Sequence, residues 1–453
     1  LKDIYKIPAG YYAIYRRGEF RLEQYWDLDF HPADHRYELS EDELIDQIRE
    51  RFREAVRSNL ISDVPVGAFL SSGIDSGAIV ATMSGLNSAA VNSYTISFPS
   101  RHTRGEVTLD DTRLAGRLAE KLGCRHNNIV VEPDVADLLP KIVWHMDEPI
   151  ADGAPITAYL VCREAKPTST VLLSGIGGDE LFAGYRKYLG HYMAQGYRKI
   201  PPALRRGLIE PLLQALPAMR GTPVKGFVRL AKKMARSGSL PPEERFLMDS
   251  TYFTEGQKAS LWSGEMKERL EGENPWRRHM GYYERVSGAD FLNQMLYLDT
   301  KAFMASLNLT YNDKMSMASS VEVRVPFLNK GFAEFIARSV PPSLKLNGRK
   351  TKYIFKKAME GILPEEILGA PKAGFAAPLD HWLAHDLAPM TDDLLSGDRI
   401  RRRGHFDPKF VQRLIGEHRS GRQDWSFQIW ALLTFELWQQ AFVDSPAAAA
   451  GVG

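Results

Sequence analysis

The chain has 453 residues, 44% hydrophobic and 25% charged, which is enough for two or three cores and excludes a disordered or fibrous class. Its 58 Lys and Arg nearly balance 56 Asp and Glu, and a formal charge of +2 gives the whole molecule no attraction to nucleic acid or membrane. Cys124 and Cys162 are too few for a disulfide framework and lack zinc-site spacing, no apolar run approaches the roughly 20 residues of a membrane helix, and no signal segment opens the chain; a cytoplasmic protein in a reducing compartment is expected.

The chain opens on Leu1, and the alternating apolar residues from Ile4 to Ile14 read as a strand already inside a domain, so the natural N-terminus is expected to lie upstream. The alternation closes on Tyr25-Trp26-Asp27-Leu28 and gives way to the polar His31-Pro32-Ala33-Asp34, the end of one module and a linker. Ser40 followed by Glu43 is a capping-box pattern, and Leu44, Ile48, Phe52, Ala55 and Val56 recur at helical spacing, which predicts a helix over about 41–60. Short apolar runs then alternate with amphipathic stretches: Val64 to Leu70, Ser93 to Phe98, Asn128 to Val131 and Thr170 to Leu173. This order predicts an α/β fold, a parallel sheet with helices on both faces. Beyond about residue 190 strand signals thin out and helical periodicity runs to Phe442, so the C-terminal part is expected to be largely helical. Trp425, Trp430 and Trp438 sit in that periodicity as core, Arg401-Arg402-Arg403 reads as a solvated charged turn, and 446–453 as a frayed tail. His31, His35, His102, His126 and His145 show no ligand spacing.

In open parallel sheets, ligands bind beyond the carboxyl ends of the strands. The first run ends in Ser71-Ser72-Gly73-Ile74-Asp75-Ser76 before a helix-forming stretch, and the fourth in Ser174-Gly175-Ile176-Gly177-Gly178-Asp179-Glu180. Small residues let amides and hydroxyls close around phosphate, and a helix N-terminus favours the anion. Each loop also offers a carboxylate just past a strand end. Asp75 and Asp179 make a candidate Mg²⁺ pair, since that ion takes one or two carboxylates and fills its remaining positions with phosphate oxygens and water. Glu180 is the competing ligand. Neither loop has the G-x-x-x-x-G-K-S/T pattern, which argues against P-loop chemistry.

Ser71 to Ser76 resembles the S-G-G-x-D-S loop of the ATP pyrophosphatases, and the two loops together resemble the synthetase domain of asparagine synthetases, class II glutamine amidotransferases. Asp147-Glu148-Pro149, Asp313 to Ala318 leading into Val321 to Leu328, and Pro371-Lys372-Ala373-Gly374-Phe375 with Pro378 and Trp382 resemble that family in the same order. The resemblance implies an adenine nucleotide alpha hydrolase-like fold and a ligase reaction in which a small-molecule carboxylate, aspartate in the family, attacks the α-phosphorus of ATP and ammonia then displaces AMP. It implies Ser71, Ser72, Gly73 and Ser76 on pyrophosphate, Asp75 and Asp179 on Mg²⁺, Leu70, Ile96, Ser174 and Gly175 around the adenosine, and Lys372 against charge at the reacting phosphate. Glu322 and Arg324 share one face of an extended segment and either pair with each other or serve the site; the resemblance favours Glu322 as catalytic. Asp313 and Lys314 are read as structural and Lys352 as a weak phosphate candidate.

The resemblance also divides the chain into 1–38, the end of an N-terminal glutaminase domain plus linker; 39–445, the synthetase domain; and 446–453, the tail. Ammonia would come from the glutaminase domain, and a homodimer is among the assemblies allowed. Ile176 stands where the family carries an acidic residue, which leaves room for other carboxylates such as sugar acids or for amide ring closure. Ser72 for glycine, Asn329 for aspartate and Lys356 for arginine are smaller departures. A non-amidating ATP pyrophosphatase is disfavoured by the lack of a catalytic cysteine pair, and a non-catalytic relative by the presence of the other expected site residues.

Overall fold

A computed structural model describes residues 4–99, 111–215, 240–370 and 377–444. The Lys372 segment and the tail lie outside the described residues. The chain begins with a hairpin of β1 (Tyr11–Arg16) and β2 (Glu19–Gln24). Its two-residue turn has positive φ at both Arg17 and Gly18, which matches the right-handed twist of the strands. The predicted helix follows as α1 (Glu41–Asn59), with both capping-box bonds between Ser40 and Glu43 formed and Leu44, Ile48, Phe52, Ala55 and Val56 buried.

The alternating runs become β3 (Val66–Phe69), β4 (Asn92–Ser97), β5 (Arg125–Val130) and β6 (Val171–Leu173). Between them lie α2 (Ile74–Leu86), α3 (Asp111–Lys121), α4 (Val135–Met146) and α5 (Ala154–Ala165). The sheet is parallel throughout, in the order β5-β4-β3-β6-β7. Its fifth strand, β7 (Glu322–Arg324), comes from the half expected to be helical. Strand order runs outward from β3 to β4 and β5, then returns to the other side of β3 for β6 and β7. The reversal opens a crevice between the carboxyl ends of β3 and β6. The loops after these two strands are Ser71 to Gly73 and Ser174 to Gly177.

Side-chain alternation distributes the sheet between two cores. Ala68, Val171 and Leu173 face the core that contains α1, α2 and α3, whereas Leu172 and Tyr94 pack with Val161, Cys162 and Ala165 of α5 on the other side. The helical remainder builds a second large core around Trp382, Trp425, Trp430 and Trp438, the last three as the periodicity predicts. Arg401-Arg402-Arg403 closes the helix Gly397–Arg403 rather than forming a solvated turn. Arg403 donates to Glu436 at 2.8 Å and to Asp444 at 2.5 Å, tying down the end of the described chain. Among the described residues, no helix is long and apolar enough to cross a membrane.

The hairpin segment is fastened to the rest by charge. Asp27 accepts from Tyr297 Oη at 2.7 Å and from the buried Lys301 Nζ at 3.0 Å, and Lys301 also donates to the Ala9 carbonyl at 3.0 Å. Lys301 belongs to a π-helical segment, Thr300–Asn308, that continues towards the glycine loops.

Lys345 is fully buried, with Nζ 3.2 Å from Asn293 Oδ1 and 5.0 Å from the centre of the Phe30 ring. Burial, opposed by the charge of Asp290, brings its pKa from 10.5 down to about 7. The unfolded chain therefore binds more protons between these values, and folding stability contributed by this group rises as pH rises from about 7 towards 10.5 and is lost as pH falls through about 7. Lys345→Met is expected to be more stable than wild type at pH 7 by roughly 4 kcal/mol, less the cost of Asn293's lost partner, with most of the advantage gone at pH 10. Urea unfolding at the two pH values measures the difference; an equal gain at both would assign the effect to packing instead of charge.

Candidate functional site

At the end of β3 the backbone is fixed before the loop begins. Leu70 N donates to the Tyr94 carbonyl at 2.8 Å, and the Leu70 carbonyl accepts from Thr95 Oγ1 at 2.6 Å. The loop is then organised by its own hydroxyls. Ser71 N donates to Ser76 Oγ at 3.0 Å, the two hydroxyl oxygens lie 2.9 Å apart, and Gly73 N donates to Ser71 Oγ at 3.1 Å. These groups gather at the start of the 13-residue α2, where the helix dipole favours an anion. Ser72 is buried in the same turn.

The second loop leaves β6 with Ser174 N donating to the Arg324 carbonyl of β7 at 2.8 Å, and Ile176 N donates to Ser174 Oγ at 3.4 Å. Gly177, at φ 96°, turns the chain into the short helix α6 (Gly178–Phe182). The loops then meet at van der Waals distance, and glycine is what permits it. A methyl group on Gly178 would lie 2.7 Å from Asp75 Oδ1, and one on Gly175 would lie 2.9 Å from Asp75 Cβ.

Asp75, in the first turn of α2, and Asp179, in the first turn of α6, converge on one ammonium, that of Lys352. Its Nζ lies 2.7 Å from Asp179 Oδ1 and bonds Asp75 Oδ2 as well. Lys352 precedes the helix Tyr353–Ala358, has φ 54°, and donates its backbone N–H to the Phe182 carbonyl at 3.2 Å. Burial by itself would lower its pKa; the charges of Asp179 and Asp75 outweigh burial and hold it above the ordinary lysine value. Among the described residues, the two strand ends thus bring together two carboxylates and one buried ammonium, with serine hydroxyls and glycine amides beside them.

Glu180 faces away from this centre. It is buried and accepts from Tyr185 Oη at 2.8 Å and Asn308 Nδ2 at 3.2 Å. Burial and the neighbouring Asp179 charge push its pKa up to about 7. Asp299 lies in the same interior, accepting from Lys187 Nζ at 2.7 Å and from Tyr188 Oη.

Ile96 sits near the carboxyl end of β4, opposite Ile129 of β5, and with Leu70, Ser174 and Gly175 belongs to the strand-end layer of the crevice. Glu322 does not. It opens β7 opposite Val171, which is itself opposite Val66, so it stands at the amino ends of the strands. Arg324 Nε donates to Glu322 Oε1 at 2.7 Å while Arg324 Nη1 donates to the carbonyls of Asn59 and Ile61 at 2.9 and 2.7 Å. In this structure Glu322 is thus ion-paired with Arg324, at the amino end of β7. Lys314 donates to the Met146 carbonyl at 2.8 Å and bonds Asp147, joining two of the matched segments to each other.

For Lys352 the sequence offers only a lysine-rich turn, whereas the structure brings its ammonium to Asp75 and Asp179, far away in the chain. Lys372 lies outside the described residues.

With this geometry in place, comparison with known proteins gives a consistent result. The family described as Asparagine synthase matches residues 47–440. The asparagine synthetase (glutamine-hydrolyzing) 1 of Bacillus subtilis is 31% identical over 96% of this chain and 65% of its own length. A putative asparagine synthetase (glutamine-hydrolyzing) of Mycobacterium tuberculosis is 34% identical over 88% of the chain and 58% of its own length. A protein named Amidase chyE from Penicillium rubens is 27% identical over 91% and 64%. The chain thus spans less than two thirds of the length of these relatives. The matched span contains both loops, both aspartates and Lys352, and the chain belongs to the asparagine synthase family.

Proposed function

We propose that the chain is the ATP-dependent synthetase part of an amide-forming ligase, which adenylates a carboxylate and passes the acyl group to ammonia with release of AMP and pyrophosphate. The observation that carries the reading is the convergence of Asp75, Asp179 and Lys352 where the two loops meet, at the switch point of the sheet. A triphosphate laid across the start of α2 would meet the Ser71 and Ser76 hydroxyls and the Gly73 amide, exchanging their present mutual bonds for phosphate oxygens. Leu70, Ile96, Ser174 and Gly175 would border the adenosine.

The donor set also fits Mg²⁺: two carboxylates already share one cation, and hard oxygen ligands at a triphosphate are what that ion takes. Held by Asp75 and Asp179, Mg²⁺ would neutralise charge on the departing pyrophosphate. Lys352 supplies positive charge at the same place from the protein itself, and Lys372 is assigned to the reacting phosphate. Glu322, neutralised by Arg324 at the other end of the sheet, has no part in this scheme.

Ammonia is proposed to come from glutamine through a glutaminase domain, of which residues 1–38 form the end. Aspartate is the acceptor suggested by the names of the bacterial relatives. A second reading, amidation of a different carboxylate, is favoured by Ile176: its side chain, in the loop beside Asp75, has no atom with which to bind an amino group. The likeness to the Penicillium amidase supports keeping that reading.

Given ATP, Mg²⁺, ammonia and its acceptor, the protein is expected to release AMP and pyrophosphate in equal amounts. A screen of pyrophosphate release over aspartate, glutamate and sugar acids identifies the acceptor, and ADP with phosphate as products would overturn the adenylation reading. Asp75→Asn and Asp179→Asn should each lower turnover by about 100-fold or more, because each removes half of the carboxylate pair; near-normal rates in both would remove the pair from the mechanism. Gly178→Ala, whose added methyl meets the Asp75 carboxylate at 2.7 Å, should lose ATP binding in calorimetry while circular dichroism stays as in wild type.

A further inference from the structure

Two carboxylates aimed at one point repel each other, and burial makes the repulsion costly. Asp75 and Asp179 are brought together from the first turns of two different helices, with side chains only 16% and 13% exposed, and the Lys352 side chain between them is 7% exposed. The protein accepts unfavourable local structure to put an ammonium there. Lys352 has φ 54°, in the left-handed region that a residue with a β-carbon enters at a cost. Its stem also needs the bare backbone of Gly184, where a methyl group would lie 2.1 Å from Lys352 Cε and 1.9 Å from Asp179 Oδ1. A lysine that served only to meet phosphate from solvent would require neither.

We infer that Lys352 is a positioning residue that stands in for the divalent cation: its ammonium holds Asp75 and Asp179 together until metal-bound nucleotide arrives, then yields the place between them. The inference rests on the reading of Asp75 and Asp179 as the metal carboxylates. An ammonium is a compact single charge on a flexible stem, able to occupy a cation position and leave it without moving the backbone. The ammonium would yield its place to a divalent ion alone only against charge repulsion, whereas triphosphate oxygens arriving with the ion would give the ammonium a new partner. Free metal should therefore bind weakly and metal with nucleotide well. The arrangement keeps the site assembled when empty and ties metal entry to nucleotide entry.

The test uses the whole chain as Lys352→Met, Lys352→Arg and the double variant Lys352→Met with Asp75→Asn. Thermal unfolding is followed in EDTA and in Mg²⁺, and Mn²⁺ binding by electron paramagnetic resonance with and without ATP. In EDTA, Lys352→Met should melt about 5 °C or more below wild type, with Lys352→Arg close to wild type and the double variant recovered, because one carboxylate no longer opposes the other. Mg²⁺ should raise the melting temperature of Lys352→Met more than that of wild type, and its affinity for Mn²⁺ without nucleotide should rise by about tenfold. If Mn²⁺ binds wild type and Lys352→Met equally well, the lysine does not hold the metal's place and the inference is overturned while the metal reading stands. If neither binds Mn²⁺ even with ATP, the metal reading falls and takes the inference with it. Should Lys352→Met fail to fold, the double variant decides: recovery of a folded protein supports the charge-holding role, and failure of both assigns Lys352 to packing and overturns it.

Discussion

The ion triad of Asp75, Lys352 and Asp179 connects three pieces of chain that would otherwise have no reason to stay in register. Each aspartate follows a different strand, and the lysine follows neither. A buried ion pair earns little net stability, since desolvation consumes most of its attraction, but losing one member leaves an uncompensated buried charge. The triad thus acts less as a source of stability than as a condition on geometry. Loops that fail to meet leave a charge stranded.

That geometry is built by aromatic packing behind the loops. Phe182 ends α6 and stacks on Phe355 of the lysine-bearing helix at 4.8 Å between ring centres, while Phe327 lies 5.3 Å from Phe355 and 4.9 Å from Phe52 of α1. The same Phe182 offers its carbonyl to the Lys352 amide. One residue therefore seats the second loop in the core and fixes the start of the helix that carries the cation. Side chains from α1, α6, the β7 turn and the helix Tyr353–Ala358 share a single apolar cluster, so the charged centre inherits the rigidity of a core.

The sheet and both loops were legible in the sequence because their signals are local. An apolar run that stops at small residues and an acid marks a strand end whatever lies around it. The capping box of α1 was equally local, and both of its bonds are present. β7 was harder: three residues between helices barely rise above their surroundings, though Glu322 and Arg324 on one face marked an extended segment. Lys352 was not legible, because it meets Asp75 across 277 residues of chain and nothing near it announces that meeting. Glu322 illustrates a related limit. Alternation put it on the same face as Arg324, but only the register of β7 against β6 gives its height along the sheet, and that height separates an ion pair at the amino ends from the centre at the carboxyl ends.

The π-helical segment Thr300–Asn308 has a consequence for the hairpin. At one end Lys301 clamps Asp27 and the Ala9 carbonyl; at the other, Asn308 supports Glu180, the neighbour of Asp179. A π-turn spaces its side chains differently from an α-turn, so this segment lets one continuous helix present polar groups to two places that an α-helical repeat would not serve together. The opening hairpin is consequently anchored on the same beam that braces the second loop. Whatever pulls on that hairpin is mechanically one helix away from the carboxylates.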